Sequence, residues 1–250
     1  MLIAISADAV HLTAGDAPGP DDTPYLLKFT PRRNGLGRRT DCGVLEEAYA
    51  RMARAAGIDL PPTRLVETSD GRAHFAFERF DRTRTGGRRH IHTLGGLLGR
   101  EAADDGDYDQ LFRVAFNLTQ RARTREVVLR RLCFNVAALN DDDHLKNSAF
   151  LLEPSGQWQL SPAYDVTYSP GPGGVRGMAV GGHEAGVTWE WVDALATKHG
   201  INPTRVRAIR AEVQVAMSEW PRHADAAGAP TASVSGLAEA FESRRRRLEL

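Results

Sequence analysis

Hydrophobic and polar residues follow two different periods along this 250-residue chain. Its first third contains three short apolar runs that are typical of strands, at residues 25–29, 64–68 and 73–80. Between the first two runs, residues 44–56 have apolar positions at helical spacing, and Gly57 follows as a favoured helix C-terminal residue. This order predicts a strand, a helix and an antiparallel hairpin, which together form a small α+β unit ending near Arg82.

After that unit the periodicity becomes mainly helical. Long stretches with helical spacing cover residues 111–119, 125–139, 189–199, 203–220 and 235–250. A turn at residues 154–156 separates two short apolar runs, 148–152 and 158–160, and predicts one further hairpin. We therefore expect two domains, with residues 1–92 as a small α+β domain and residues 93–250 as a mainly helical one.

Composition changes this picture little and excludes some functions. The chain is 42% hydrophobic and 26% charged, as is usual for soluble globular proteins. It has no run of about 18 apolar residues and no basic region of a signal peptide, so we expect a cytoplasmic protein without a membrane partner. Because the formal net charge is zero, we expect no direct general nucleic-acid binding. The arginines at 244–247 are interpreted as a solvated helix face, with a nucleic-acid or partner contact as the alternative.

Three adjacent carboxylates, Asp141 to Asp143, directly follow a predicted apolar helix. Their mutual repulsion disfavours this arrangement unless a cation or hydrogen-bond donors compensate it. A hard cation such as Mg²⁺ prefers oxygen ligands, and Asn147 offers an amide oxygen nearby. The predicted hairpin returns the chain to Asp165, which we expect beside Asn147. These groups fit the roles needed for phosphoryl transfer, although the triplet by itself is also typical of a solvated turn.

Two motifs in this region carry a specific resemblance. Residues 140–147 have the form Asn-x-Asp-x-His-x-Lys-Asn, and residues 160–165 read Leu-Ser-Pro-Ala-Tyr-Asp. Both closely resemble the catalytic and metal-binding motifs of the HipA-like serine/threonine kinases, at matching spacing. The resemblance implies that Asp142 is the catalytic residue and that Asn147 and Asp165 bind magnesium. It also implies an α+β, two-lobed protein-kinase-like (HipA-type) fold with a small mixed N-lobe and a mainly helical C-lobe.

The hinge between the two lobes is also suggested by a motif. Residues 77–82, Phe-Glu-Arg-Phe-Asp-Arg, are similar to a Glu-Arg-Phe-Asp-Arg signature of the same family. There, backbone groups near the glutamate and the phenylalanine meet the adenine ring, which implies nucleotide-binding positions at Glu78, Phe80 and Asp81. The alternative for Glu78 and Asp81 is that they are ordinary charges at a strand edge.

Four other residues complete the implied ATP and Mg²⁺ site. Lys28 matches the family lysine that reaches the phosphates, and Glu46 matches a recurrent glutamate that could hold this lysine. An outward-facing surface lysine is the alternative for Lys28. His144 is either a metal ligand or a structural residue that fixes the loop, and Lys146 is either a phosphate contact or a loop-surface cation.

One departure from the family pattern concerns the phosphate end of the site. HipA-like proteins carry a Gly-Ala-x-x-Lys loop before the lysine strand, and a further N-terminal subdomain before that loop. This chain is expected to start too late for either, because residues 1–15 predict only one strand, with a single glycine and no lysine or arginine. The cradle that backbone N–H groups and a basic side chain form around phosphates is therefore expected to be absent or degraded.

The function that the resemblance implies is ATP- and magnesium-dependent transfer of phosphate to a serine or threonine hydroxyl of a protein substrate. The chain would be the toxin component of a type II toxin-antitoxin system and would have an antitoxin partner. The alternative is a non-catalytic pseudokinase or split kinase that binds nucleotide and docks a partner, with a separate chain supplying the missing N-terminal subdomain.

Overall fold

A computed structural model describes the chain except residues 7, 9–10, 16–18, 20, 33–40, 84–85, 103, 172–174 and 250. The first part contains a five-stranded antiparallel sheet in the order β2-β1-β3-β5-β4. Its strands are β1 (Leu2–Ile5), β2 (Leu12–Ala14), β3 (Thr23–Lys28), β4 (Thr63–Glu67) and β5 (Ala73–Glu78).

Helix α1 (Cys42–Ala55) packs against β4 and β5. Its buried positions include Ala48, Tyr49, Met52 and Ala53, which recur at the spacing that the sequence pattern predicted. Strand β3 lies in the middle of the sheet and ends at Lys28, opposite Phe75 of β5. The lysine therefore stands at the end of a central strand, next to the helix that packs on the sheet.

The expectation of a single strand in residues 1–15 was wrong. Strands β1 and β2 form an antiparallel pair in which Ile5 lies opposite Leu12. Strand β2 has only three residues, all exposed, so no alternation of apolar and polar residues indicated it. Strand β1 ends at Ile5, opposite Thr23, so the connection to β2 leaves the sheet at the start of β3 and not at its Lys28 end.

The second part is mainly helical and carries two small sheets. Its helices are α2 (Leu94–Leu98), α3 (Tyr108–Thr119), α4 (Ala122–Ala137), α5 (Trp189–Lys198), α6 (Pro203–Ser218), α7 (Trp220–Ala226) and α8 (Thr231–Leu248). Its strands are β6 (His90–Thr93), β7 (Gly106–Asp107), β8 (Ala149–Leu152), β9 (Trp158–Leu160) and β10 (Met178–Ala179). The five predicted helical stretches and the predicted hairpin are all present, and the mixed α+β class is confirmed.

Strand β6 pairs with β8, the first strand of that hairpin, to give the order β6-β8-β9. Residues 90–93 are therefore hydrogen-bonded to the second part of the chain. The boundary at residue 92 stays a prediction. One large core extends from Tyr49 of α1 through Phe112 and Leu132 to Trp220, so the helix of the first part shares its apolar face with the second. No described helix is both long and apolar enough to span a membrane.

Candidate functional site

The loop at residues 140–147 begins with an unusual helix end. After α4 and its C-terminal residue Ala138, Leu139 has φ 58°, a left-handed conformation that usually favours glycine. The N–H of Asn140 then donates to the carbonyl of Asn135 at 3.0 Å, which closes the helix end. This geometry turns the chain out of the helix axis and into the loop that carries the three aspartates.

Asp141 is held by two arginines. One carboxylate oxygen accepts a hydrogen bond from Arg176, and the other accepts one from Arg244 of α8 at 2.5 Å. All three side chains are largely shielded from water. The interpretation of residues 244–247 as a solvated face therefore needs a correction at Arg244, which is part of a buried ion-pair cluster, whereas Arg245 and Arg246 pair on the surface with Glu242.

Asp143 is buried, with 4% of its surface exposed. Its carboxylate accepts hydrogen bonds from the hydroxyl of Tyr108 and from the amide of Asn135, the latter at 2.8 Å. Burial raises the pKa of Asp143, and the two donors offset only part of that effect. Asp143 therefore has a structural role inside the loop.

Asp142 differs from its two neighbours. It is half-buried, and its carboxylate makes no hydrogen bond or ion pair to any described residue. Protein donors thus compensate the repulsion of the triplet at Asp141 and Asp143, which is one of the two possibilities that the sequence left open. What remains is a single carboxylate, Asp142, that is available for chemistry.

The backbone of this loop also packs closely against the backbone of Gly177. The N–H of Gly177 donates to the carbonyl of Asp141 at 2.8 Å, and a Cβ at position 177 would lie 2.9 Å from the carbonyl oxygen of Asp143. A side chain there would collide with the loop, so glycine is required for the approach. The segment around Gly177 therefore packs against the loop, although it lies outside the motif.

Asn147 and Asp165 lie at the ends of the β8–β9 hairpin. The Asn147 amide group donates to the carbonyl of Asp142 at 3.2 Å, which leaves its amide oxygen for another partner. Asp165 has φ 56°, a strained backbone conformation for a residue that is not glycine. The side-chain amide of Asn140 reaches the Asp165 carbonyl at 3.4 Å, so the end of the hairpin contacts the start of the loop.

Lys28 connects the two parts of the chain. Its ammonium group donates to Glu46 of α1 and to Asp165 at 2.5 Å. The contact between Lys28 and Glu46 that the sequence suggested is therefore present. Burial alone would lower the pKa of Lys28, but the two carboxylates outweigh it and raise that pKa, so the lysine stays charged. Burial raises the pKa of Glu46, and the charge of Lys28 offsets only part of that effect.

The predicted hinge follows β5. The Phe80 ring lies 5.7 Å from that of Tyr164, the residue before Asp165. The carboxylate of Asp81 is occupied by Arg79 at 2.7 Å and by Arg82 at 2.6 Å, so it has a structural role in the turn. Adenine binding at Glu78, Phe80 and Asp81 therefore stays a prediction.

A narrow crevice lies between the two parts of the chain. Glu46, Phe77, Tyr164 and Asp165 are among the residues that line it. It therefore joins the end of β5, just before Glu78, to the ion pairs of Lys28. Its lining combines apolar side chains with a charged end, which is the chemistry that a nucleotide base and its phosphates would need.

The remaining two residues of the first motif have local partners. Lys146 pairs with Glu101 on the surface, and its carbonyl accepts a hydrogen bond from the Tyr164 hydroxyl at 2.5 Å. The His144 carbonyl closes the turn to Asn147 at 2.8 Å, while its ring Nδ1 is buried without a partner among the described residues. Roles for His144 and Lys146 in binding stay predictions.

Four residues that support the loop were not identified from the sequence: Tyr108, Asn135, Arg176 and Arg244. None belongs to a motif, and Arg244 is 103 positions from its partner Asp141. The only available signal was the rule that buried carboxylates need donors, which names no particular residue.

Comparisons with known proteins identify the family and the fold. The model of the HipA-like C-terminal domain matches residues 4–220. A protein of Haemophilus influenzae named "Putative kinase" is 29% identical over 171 residues, which are 62% of this chain and 45% of the relative. "Putative kinase Y4dM" of Sinorhizobium fredii is 34% identical over 140 residues, which are 50% of this chain and 34% of the relative. The chain thus spans less than half the length of these curated relatives.

Two solved structures share the fold. HipA of Shewanella oneidensis MR-1, solved with HipB and operator DNA, superposes with a TM-score of 0.66 at 17% identity, over 89% of this chain and 62% of that one. The Helicobacter pylori proinflammatory kinase CtkA superposes with a TM-score of 0.60 at 12% identity, over 90% of this chain and 88% of that one. The predicted kinase-like, HipA-type fold is confirmed, and the match over residues 4–220 shows that the chain belongs to the family of the HipA-like C-terminal domain.

Proposed function

We propose that this chain is a serine/threonine protein kinase that binds ATP and Mg²⁺ in the crevice between its two lobes. The observation that carries the proposal is the position of Lys28, whose ammonium group joins Glu46 of the first lobe to Asp165 of the second. A lysine held by a helix glutamate, next to an aspartate that can bind metal, is the arrangement that phosphoryl transfer uses to orient phosphates. ATP would enter by replacing the Lys28–Asp165 contact with contacts to its phosphates.

The residues present fit a magnesium ion. Asp165 offers a carboxylate and Asn147 an unused amide oxygen, and both are hard oxygen ligands. No group of three or more His, Cys, Asp or Glu residues that could hold a metal occurs in the described part of the chain. The protein would therefore supply only part of a coordination shell, and nucleotide phosphates and water would complete it. Bound there, the ion would neutralise charge on the transferred phosphoryl group.

Asp142 would orient the substrate hydroxyl and accept its proton. The absence of a partner for its carboxylate among the described residues supports this role, since a base must be free to reach its substrate. Its neighbours contribute by fixing the loop: Asp141 and Asp143 each have two donors. The reaction would form an O–P bond to the serine or threonine hydroxyl and break the bond between the γ- and β-phosphates.

The biological setting is part of the same proposal. HipA of Shewanella oneidensis was solved with HipB and operator DNA, which supports an antitoxin partner for this chain and a role as the toxin of a type II system. The CtkA kinase of Helicobacter pylori shares the fold over 88% of its length, which supports the kinase activity of this proposal.

One observation favours a second candidate, a non-catalytic module that binds nucleotide and docks a partner. The ammonium group of Lys28 is paired with two carboxylates, those of Glu46 and Asp165. Two carboxylates beside this lysine would weaken the binding of phosphates, because like charges repel.

Calorimetric titration with a non-hydrolysable ATP analogue tests the site. We expect Mg²⁺-dependent binding by the native chain and its loss in Asp165→Asn, while Asp225→Asn, an exposed substitution in α7, should bind normally. Equal binding by all three would contradict the placement of the nucleotide. Transfer of labelled γ-phosphate, abolished by Asp142→Asn, separates the two candidates: binding without any transfer by the native chain supports the non-catalytic module.

A further inference from the structure

Helix α8 lies after residue 220, where the match to the family model ends, yet it contacts both lobes around the candidate site. Its first turn reaches the first lobe, its middle packs on α1, and its last turns reach the loop of the three aspartates. The contacts at its two ends are polar and specific. This distribution suggests a task beyond covering the apolar core.

The contacts to the first lobe involve both the start and the middle of α1. The Ser233 hydroxyl donates to the carboxylate of Asp41, the residue that precedes α1, at 2.5 Å. The Phe241 ring lies edge-on to that of Tyr49, with the centroids 6.1 Å apart. The Tyr49 hydroxyl in turn donates to the carbonyl of Ala138, at 2.8 Å, two residues before the loop begins.

The contact to the second lobe is the ion pair of Arg244 with Asp141, the residue next to Asp142. Only 16% of the Arg244 side chain and 14% of the Asp141 side chain are exposed, so water screens the attraction weakly. Ser233 and Arg244 are 244 − 233 = 11 positions apart, which is about three helical turns or roughly 16 Å. Both side chains therefore lie on the same face of α8, one over each lobe.

The cluster of Arg176 and Arg244 around Asp141 is not the arrangement that would stabilise the fold most. Arg176 and Arg244 each keep a buried Nε–H that has no acceptor among the described residues. Two partly desolvated guanidinium groups on one carboxylate carry a desolvation cost that apolar packing would avoid. A charged contact does, however, fix direction, which apolar contacts do poorly.

We infer that α8 is a strap between the lobes that holds α1, with Glu46, in register with the loop that carries Asp142, and that Arg244 and Ser233 are positioning residues for phosphoryl transfer. The part of this inference that concerns transfer rests on the proposed function. Loss of Arg244 should loosen one side of Asp141 while Arg176 keeps the other, so the loop should move without unfolding. Nucleotide binding should be affected less than transfer, because neither Lys28 nor Asp165 makes a hydrogen bond or ion pair with a described residue of α8.

The test compares Arg244→Gln with Arg247→Gln, a matched exposed arginine on the same helix. We expect the first variant to lower kcat by roughly 10- to 100-fold, as a small misplacement of a reacting group does, and to change the Kd for the ATP analogue by a smaller factor. Asp141→Asn also weakens the contact of Arg176 and should lower kcat at least as much, and the double variant should lose no more than Asp141→Asn alone. Arg244→Lys should recover part of the activity, because the charge is retained.

Hydrogen exchange of the amides in residues 140–147 is the second measurement, and it does not depend on activity. The loop should exchange faster in Arg244→Gln and in Ser233→Ala than in the native chain and in Arg247→Gln. Equal exchange and equal kcat in Arg244→Gln and Arg247→Gln would overturn the inference. If the native chain transfers no phosphate, the proposed function fails, while the exchange comparison still decides whether α8 positions the loop.

Discussion

The hydroxyl of Tyr108 is one of two donors to a carboxylate that is buried beneath the candidate catalytic loop. Replacement of Tyr108 by phenylalanine removes this donor and leaves the rest of the ring in place. Hydrogen bonds to charged groups contribute about 1.5–3 kcal/mol, and those between neutral groups about 0.5–1.5 kcal/mol. For a chain of this length, 1 kcal/mol corresponds to about 2–4 °C in Tm. Tyr108→Phe should therefore lower Tm by about 3–12 °C.

Tyr49→Phe is the matched control. The Tyr49 side chain is fully buried, and its hydroxyl donates to a neutral carbonyl, that of Ala138. This substitution should lower Tm by about 1–6 °C. Because the two ranges overlap, the pH dependence of the loss decides between a charged and a neutral acceptor.

The sign of that dependence follows from Asp143. Burial raises its pKa in the folded chain, so the stability linked to this group is complete below the unfolded pKa and is lost as pH rises through the folded pKa. The Tyr108 hydroxyl favours the ionised form, so its removal raises the folded pKa further and deepens the loss at neutral pH. Urea unfolding at about pH 7 and about pH 4.5 should show a larger deficit for Tyr108→Phe at the higher pH and a constant deficit for Tyr49→Phe. A deficit for Tyr108→Phe that does not change with pH would refute the reasoning.

Three further predictions concern packing, thiol chemistry and the charged bridge. Gly177→Ala should destabilise the chain by about 1–3 kcal/mol in urea unfolding, because its Cβ would collide with the loop. As the control, Gly236→Ala on the open side of α8 should stabilise the chain by about 0.5–1 kcal/mol. Equal effects of the two substitutions would contradict the close approach of Gly177 to the loop. Burial raises the pKa of the Cys133 thiol to about 12, so a thiol reagent should label only the exposed Cys42 in the native chain, as peptide mapping would show. Burial opposes the charge of Lys28, but the carboxylates of Glu46 and Asp165 outweigh it and raise the pKa of Lys28, so the stabilisation by these ion pairs persists at neutral pH and is lost in alkali. Lys28→Met should therefore show a smaller decline in unfolding free energy between about pH 8 and about pH 11 than the native chain. An equal decline would count against the ion pairs of Lys28.

The sequence by itself determined most elements of secondary structure and the positions of the two motifs. Apolar spacing identified α1, α4 and the β8–β9 hairpin, because the periods of helices and strands are local properties of the chain. It missed β2, whose three residues are all exposed and show no period. The motif spacing also led to the family, since residues 140–147 and 160–165 carry its pattern without reference to the rest of the chain.

Tertiary structure alone decided what each carboxylate does. The triplet Asp141 to Asp143 is chemically uniform in the sequence, but Arg176 and Arg244 hold its first member, a buried tyrosine and asparagine hold its last, and only Asp142 is left open. The bridge from Lys28 to Asp165 joins positions 137 residues apart. Local periodicity acts over a few residues and carries no information about such pairs, whereas packing of the helices brings distant charges together and lets burial strengthen their attraction.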